Sequence, residues 1–286
     1  MNPELIAQYD CKCGEGPMWH PKEKCLYWTD IETSRFFRYD PATGKHGMIY
    51  SGRQVGGYTL QADGSLLLFM DRGTVGVLRN GKMTPIIEEI PDEVGSRFND
   101  VIADPEGRVF AGTMATKDRP GRLYRIDTDG SYHLLLEGIL CPNGMGYTAN
   151  TRTMYFTDAL ARKIYAFDYN RTTGAMTNQR IVVQLEDSDG YPDGMTVDEE
   201  GYLWSAVWDG WSVRRYTPGG KEVRRITLPV KKVSCPVFGG DDLSDLYLTT
   251  AGGDNKKENG EHAGALYRVK AGVKGVPEFV SRVRLQ

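Results

Sequence analysis

The stretch Asn143–Asn170 reads NGMGYTANTRTMYFTDALARKIYAFDYN. It holds a turn, an alternating strand, a second turn, an aromatic-rich strand and then a further alternating strand, so its apolar residues recur every second position rather than every third or fourth. Working outward, the same pattern begins near Glu15, Gly57 and Asn99 on one side and near Asp193 and Cys235 on the other. Successive starts lie 42, 42, 44, 50 and 42 residues apart. Such periods belong to four-stranded propeller blades or to helical solenoids, and the two-residue alternation selects the sheets. Asp63-Gly64, Asn80-Gly81, Glu106-Gly107 and Glu200-Gly201 supply the positive φ angles that tight hairpins need.

Six copies predict an all-β fold: one six-bladed β-propeller of four-stranded antiparallel blades, with residues 1–286 as a single domain. A ring must close to leave no open edge, and Glu4 to Tyr9 is the segment expected to complete the last blade beside Glu278 to Leu285.

Composition narrows the function. The chain has 35 basic and 38 acidic residues, a formal net charge of −3, so no field gathers polyanions and nucleic acid is excluded as a partner. The most basic stretch, Lys221 to Lys232, alternates charged with apolar residues as a solvated edge strand does. No apolar run approaches the roughly 20 residues of a membrane span and none at the start resembles a signal peptide, so a cytoplasmic protein, monomeric or weakly self-associating, is expected. The five cysteines show no zinc-type pairing and read as reduced packing residues. Four histidines, none beside a nucleophile motif, argue against a serine or cysteine hydrolase. Asp187-Ser188-Asp189-Gly190 lacks the further oxygen ligands of an EF-hand and reads as a connecting turn.

In a propeller the first strand of each blade runs along the central channel, so Glu15, Gly57, Asn99, Asn143, Asp193 and Cys235 are predicted to converge at one rim. Four of these six carry carboxylate or carboxamide oxygens, and turn formers flank each of Glu15, Asn143 and Asp193. Such an all-oxygen set favours one hard divalent cation such as Ca²⁺, Mg²⁺ or Mn²⁺ and tolerates Zn²⁺; Ca²⁺ or Zn²⁺ is the first expectation, with Mg²⁺, Mn²⁺ or Fe²⁺ also admissible. The alternative is that these groups cap turns or bind channel water.

Gly14-Glu15-Gly16-Pro17-Met18-Trp19, Arg97-Phe98-Asn99-Asp100, Pro142-Asn143-Gly144-Met145, Pro192-Asp193-Gly194-Met195 and the run from Ser234 to Gly240 (SCPVFGG) come one per blade in order. Together they resemble the senescence marker protein/gluconolactonase/regucalcin family. The resemblance implies that Glu15, Asn143 and Asp193 bind the metal with Asn99 near it, that Arg97 contacts substrate, and that the activity is metal-dependent hydrolysis of a sugar lactone; Arg97 and Asn99 both have the donors to bind substrate by orienting its sugar hydroxyls. For that chemistry Asp193 is either also the base for the attacking water or a ligand only, and Trp208 and Trp211 either face the sugar or pack between blades. Two departures leave the sugar open: Val101 follows Asp100 where the family often has Gly, and the loop after Met114 lacks a Glu found in some members. Organophosphate or ester hydrolysis on the same propeller is one rival. A non-enzymatic calcium-binding or interaction propeller is the other, prompted by Leu26-Tyr27-Trp28-Thr29-Asp30 and its weaker echo Tyr155-Phe156-Thr157-Asp158.

Overall fold

In the computed structural model, which describes residues 2–284, the period-two pattern becomes six four-stranded antiparallel sheets arranged as a six-bladed propeller. Their first strands are Gly14–His20, Val55–Leu60, Phe98–Ala103, Pro142–Tyr147, Tyr191–Val197 and Val233–Gly239. Each begins within two residues of the start read from the repeat. Within a blade the strands follow one another outward, as in Gly14–His20, Cys25–Asp30, Arg35–Asp40 and Lys45–Ser51. Among the described residues helix is confined to the turns Pro91–Glu93 and Asp187–Asp189 and to Lys256–Asn259, and no helix is long and apolar enough to cross a membrane.

The expected alternation survives on the outside of the ring and fails inside it. The outermost strand of the fifth blade, Glu222–Thr227, alternates exposed with half-buried positions up to the buried Ile226, as the edge reading of Lys221 to Lys232 predicts. Second strands such as Val109–Thr113 and Leu66–Met70 are buried on both faces, because each lies between two neighbouring blades. Trp204, Phe110 and Tyr155 fill those inter-blade layers.

The N-terminal segment closes the ring, but against a different partner from the one expected. Glu4–Gln8 pairs antiparallel with Ala265–Lys270, Glu4 opposite Arg268 and Gln8 opposite Ala265. That pairing fills the last place in the sixth blade, so Glu278 onward cannot join it. The tail crosses the back face of the ring instead: Ser281 donates its N–H to the Leu60 carbonyl at 2.8 Å and Arg282 to that of Gly107 at 2.8 Å. Leu285, the end of the segment expected to pair there, lies outside the described residues.

Ala7 and Cys11 are buried with Trp28 and Phe37 of the first blade and Tyr247 and Leu266 of the sixth, so this strand joins first blade to last. Deleting residues 1–10 removes four ladder pairs. At about 1 kcal/mol per hydrogen bond, and about 2–4 °C per kcal/mol for a chain of this size, thermal melting should fall by roughly 10 °C. An unchanged melting curve would contradict the closure.

Candidate metal and substrate site

Every first strand carries a register shift near its front end: between Glu15 and Met18, Val55 and Gly57, Phe98 and Val101, Asn143 and Met145, Pro192 and Met195, and Val233 and Cys235. A bulge breaks strict alternation and re-aims side chains, here toward the channel axis. Small residues then let the bulged strands come together. A Cβ on Gly144 would sit 2.5 Å from the Met195 nitrogen, and one on Gly194 would sit 2.3 Å from Cys235 Sγ. The Asn-Gly and Asp-Gly steps thus serve close backbone approach.

The strands bearing Glu15 and Asn143 are held by matching devices. Asp30 Oδ1 accepts the Cys13 N–H at 2.9 Å, and Asp158 Oδ1 accepts the Cys141 N–H at 2.9 Å. Their other carboxylate oxygens take the N–H groups of Lys12 and Leu140. Tyr-Trp-Thr-Asp and Tyr-Phe-Thr-Asp, which prompted the interaction-propeller rival, therefore end in aspartates that anchor the strands entering the site.

Glu15, Arg97, Asn99, Asn143 and Asp193 line one pocket of about 340 Å³ at the front mouth of the channel. Gly57 and Cys235 do not reach it; they line a smaller cavity deeper in the channel, together with Asp100. Arg97 Nη1 donates to Asn99 Oδ1 at 2.7 Å, and Asn99 Nδ2 donates to the Pro142 carbonyl at 2.8 Å and to Asn143 Oδ1 at 3.2 Å. One chain of hydrogen bonds joins the third blade to the fourth. Glu15 Oε2 accepts only the neighbouring Gly16 N–H, at 2.9 Å.

Glu15 and Asp193 are 4% and 5% exposed, and neither forms an ion pair among the described residues. Burial, then the charges of Asp193 and Asp100, push the Glu15 carboxyl far above its usual range. Burial and Asp100 do the same to Asp193. Burial pushes Asp100 up to about 7, with Arg97 pulling the other way. A cation relieves this repulsion, and two carboxylates with two carboxamide oxygens fit a hard divalent ion. No cluster of three or more His, Cys, Asp or Glu suited to a metal occurs among the described residues, so an ion at this mouth has to draw on the asparagines.

Ala159, Leu160, Met114, Tyr191 and Trp208 form the walls. Lys232 Nζ stands 4.5 Å over the Trp208 ring and 2.6 Å from Asp209, and the Arg162 guanidinium lies 4.4 Å over the Tyr191 ring, so a cation backs each aromatic wall. Trp211 is outside the pocket: it sits at a turn with φ of 54° and 39% exposure, which corrects its pairing with Trp208 as a wall. Cys13 and Cys141 also line the pocket, where burial holds Cys13 far above the usual thiol range and pushes Cys141 up to about 12, so both stay protonated.

Residues 13–252 match the family model described as SMP-30/Gluconolactonase/LRE-like region. The chain belongs to that family. Similar members include pentonolactonase XacC of Haloferax volcanii, 46% identical over the whole of both chains, and regucalcin of Xenopus laevis, 33% identical over 96% of each. Among solved structures, a calcium-binding protein, regucalcin, from Agrobacterium tumefaciens superposes with a TM-score of 0.90 at 25% identity, covering 98% of this chain and 97% of that one. The family is one of sugar lactone hydrolases.

Sequence reasoning missed Asp100, although its signal lay beside Asn99: in a bulged strand two consecutive residues reach the channel. The wall residues gave no signal, since they lie on loops whose paths the repeat does not set.

A carboxyl whose folded-state pKa is raised stabilises the fold fully below its unfolded value, near 4, and that stability is lost as pH rises through the folded value. For Asp100 the window ends at about 7. In chelator, wild-type melting temperature should therefore fall more between about pH 5 and about pH 8 than that of Asp193→Asn, which lacks one of the mutually repelling groups. Equal declines would show that these carboxyls do not repel.

Proposed function

We propose that this protein is a divalent-metal-dependent lactonase that hydrolyses an aldonolactone to its aldonic acid. The observation that carries this reading is the meeting, in one pocket, of Glu15, Asn143, Asp193 and Asn99 from four blades with the guanidinium of Arg97 beside them. Glu15, Asn143 and Asp193 are the proposed ligands. A bound cation would offset the repulsion between the carboxylates, polarise the lactone carbonyl and lower the pKa of a water toward neutrality.

The chain's own groups do the rest. Asp193 accepts the proton of the water that attacks the carbonyl carbon. As the acyl carbon–oxygen bond breaks, Asp193 returns that proton to the ring oxygen, which leaves as the new hydroxyl. Arg97 has donors left over from Asn99 and the Phe98 carbonyl with which to orient sugar hydroxyls. Asn99 keeps Arg97 and Asn143 in register and offers the remaining lone pair of Oδ1. Trp208 presents a flat apolar face to the sugar ring. The Haloferax relative named a pentonolactonase makes a five-carbon aldonolactone the first substrate to try.

Hydrolysis should vanish in chelator and return with Ca²⁺, Zn²⁺, Mg²⁺, Mn²⁺ or Fe²⁺, measured over a panel of aldonolactones and organophosphates. Asp193→Ala and Glu15→Ala, checked for cooperative melting, should each lose at least about 100-fold in kcat/KM. Full activity in either folded variant rejects the mechanism, and turnover of organophosphates alone rejects the substrate class.

A further inference from the structure

The same pocket has a second carboxylate-bearing side, which the metal set and Arg97 do not account for. Glu32 lines it from the first blade, at the turn between Cys25–Asp30 and Arg35–Asp40. Its side chain is exposed and makes no hydrogen bond or ion pair among the described residues. Nearby Lys12 is engaged elsewhere, with Asp254 at 2.9 Å. The turn that presents Glu32 is fixed: Ile31 donates its N–H to the Cys13 carbonyl at 3.0 Å, Ser34 to the Ile31 carbonyl at 3.3 Å, and Arg35 Nη2 pairs with Asp30 at 2.8 Å. Glu32 is thus carried on a rigid support tied to the strand that delivers Glu15.

A polyhydroxylated ring brings several O–H donors and needs acceptors to receive them. Those of the pocket are few. Glu15, Asn143 and Asp193 are given to the cation on the proposed reading, and the Asn99 amide is engaged with Arg97, Pro142 and Asn143. Arg97 only donates, Leu160, Ala159 and Trp208 bring no side-chain acceptor, Met114 and the two cysteines bring only weakly accepting sulfur, and Tyr191 brings a single phenolic oxygen. Glu32 is the remaining carboxylate, and its two oxygens match the two hydrogens of a vicinal diol. We infer that Glu32 is a substrate-binding residue that selects hydroxylated lactones by accepting hydrogen bonds from a vicinal diol. The inference rests on the lactonase reading of this site.

The test compares wild type with Glu32→Gln and Glu32→Ala on an aldonolactone and on an unsubstituted aliphatic lactone. For the aldonolactone KM should rise roughly tenfold to a hundredfold with kcat nearly unchanged, and for the aliphatic lactone neither constant should move. Equal losses on both substrates, or no loss on the aldonolactone, overturn the inference. Calorimetric titration of the metal-loaded protein with a cyclic anhydro-alditol, which keeps the ring hydroxyls and lacks the ester, needs no turnover. Its affinity should fall by the same factor in Glu32→Gln, and an unchanged affinity overturns the inference even if wild type hydrolyses no lactone, the result that would sink the lactonase reading itself.

Discussion

Glu15 and Asp193 are both buried at the channel mouth, where Asp193 raises the cost of ionising Glu15 and Asp100 raises it for both. Water would normally relieve such a pair, and burial removes that option. The front half of the molecule can be understood as the means of holding this arrangement. Bulges turn the side chains toward the axis, Gly144 and Gly194 admit the neighbouring backbones, and Asp30 and Asp158 fix the strand entrances.

The back of the blades carries the opposite solution to burying charge. Asp104 accepts the backbone N–H groups of Glu106 and Arg108 at 2.8 and 2.9 Å, and the Tyr169 hydroxyl of the next blade donates to it at 2.6 Å. Asp198 accepts Trp204 Nε1 at 2.8 Å and Arg215 Nε at 2.8 Å. Both aspartates are fully buried and fully partnered, as structural carboxylates should be. Removing one partner there would strand a buried charge at a cost of about 3–5 kcal/mol. The contrast between these partnered aspartates and Glu15 and Asp193, whose carboxylates meet only the N–H of the next residue, separates framework from site within one chain.

Much of this was legible in the residues. The repeat placed all six first strands within two positions, because hairpin glycines and strand alternation are local signals. It also placed Glu15, Asn99, Asn143 and Asp193 at one mouth, since blade-equivalent positions must converge in a closed ring. What escaped depended on competition between distant segments. Glu4–Gln8 and the tail compete for one place beside Ala265–Lys270, and nothing local to either states the winner. The double-sided burial of Leu66–Met70 follows from blades packing face to face, which a single strand cannot announce. Trp211 was misplaced because a residue three positions past Trp208 left the strand at a left-handed turn. Glu32 sits on a loop whose sequence, Ile31-Glu32-Thr33-Ser34, reads as an ordinary solvated turn.

Charge at the front of the channel gives the strongest physical argument for what belongs there. Glu15, Asp193 and Asp100 face the axis, and Arg97 is the basic side chain that lowers all three. Lys232, behind Trp208, lowers Asp193 as well. Burial opposes the ionisation of carboxyls crowded in this way. On the proposed reading a divalent cation would offset their repulsion. The demand for charge compensation lies at the front, beside Arg97, where the wider pocket opens.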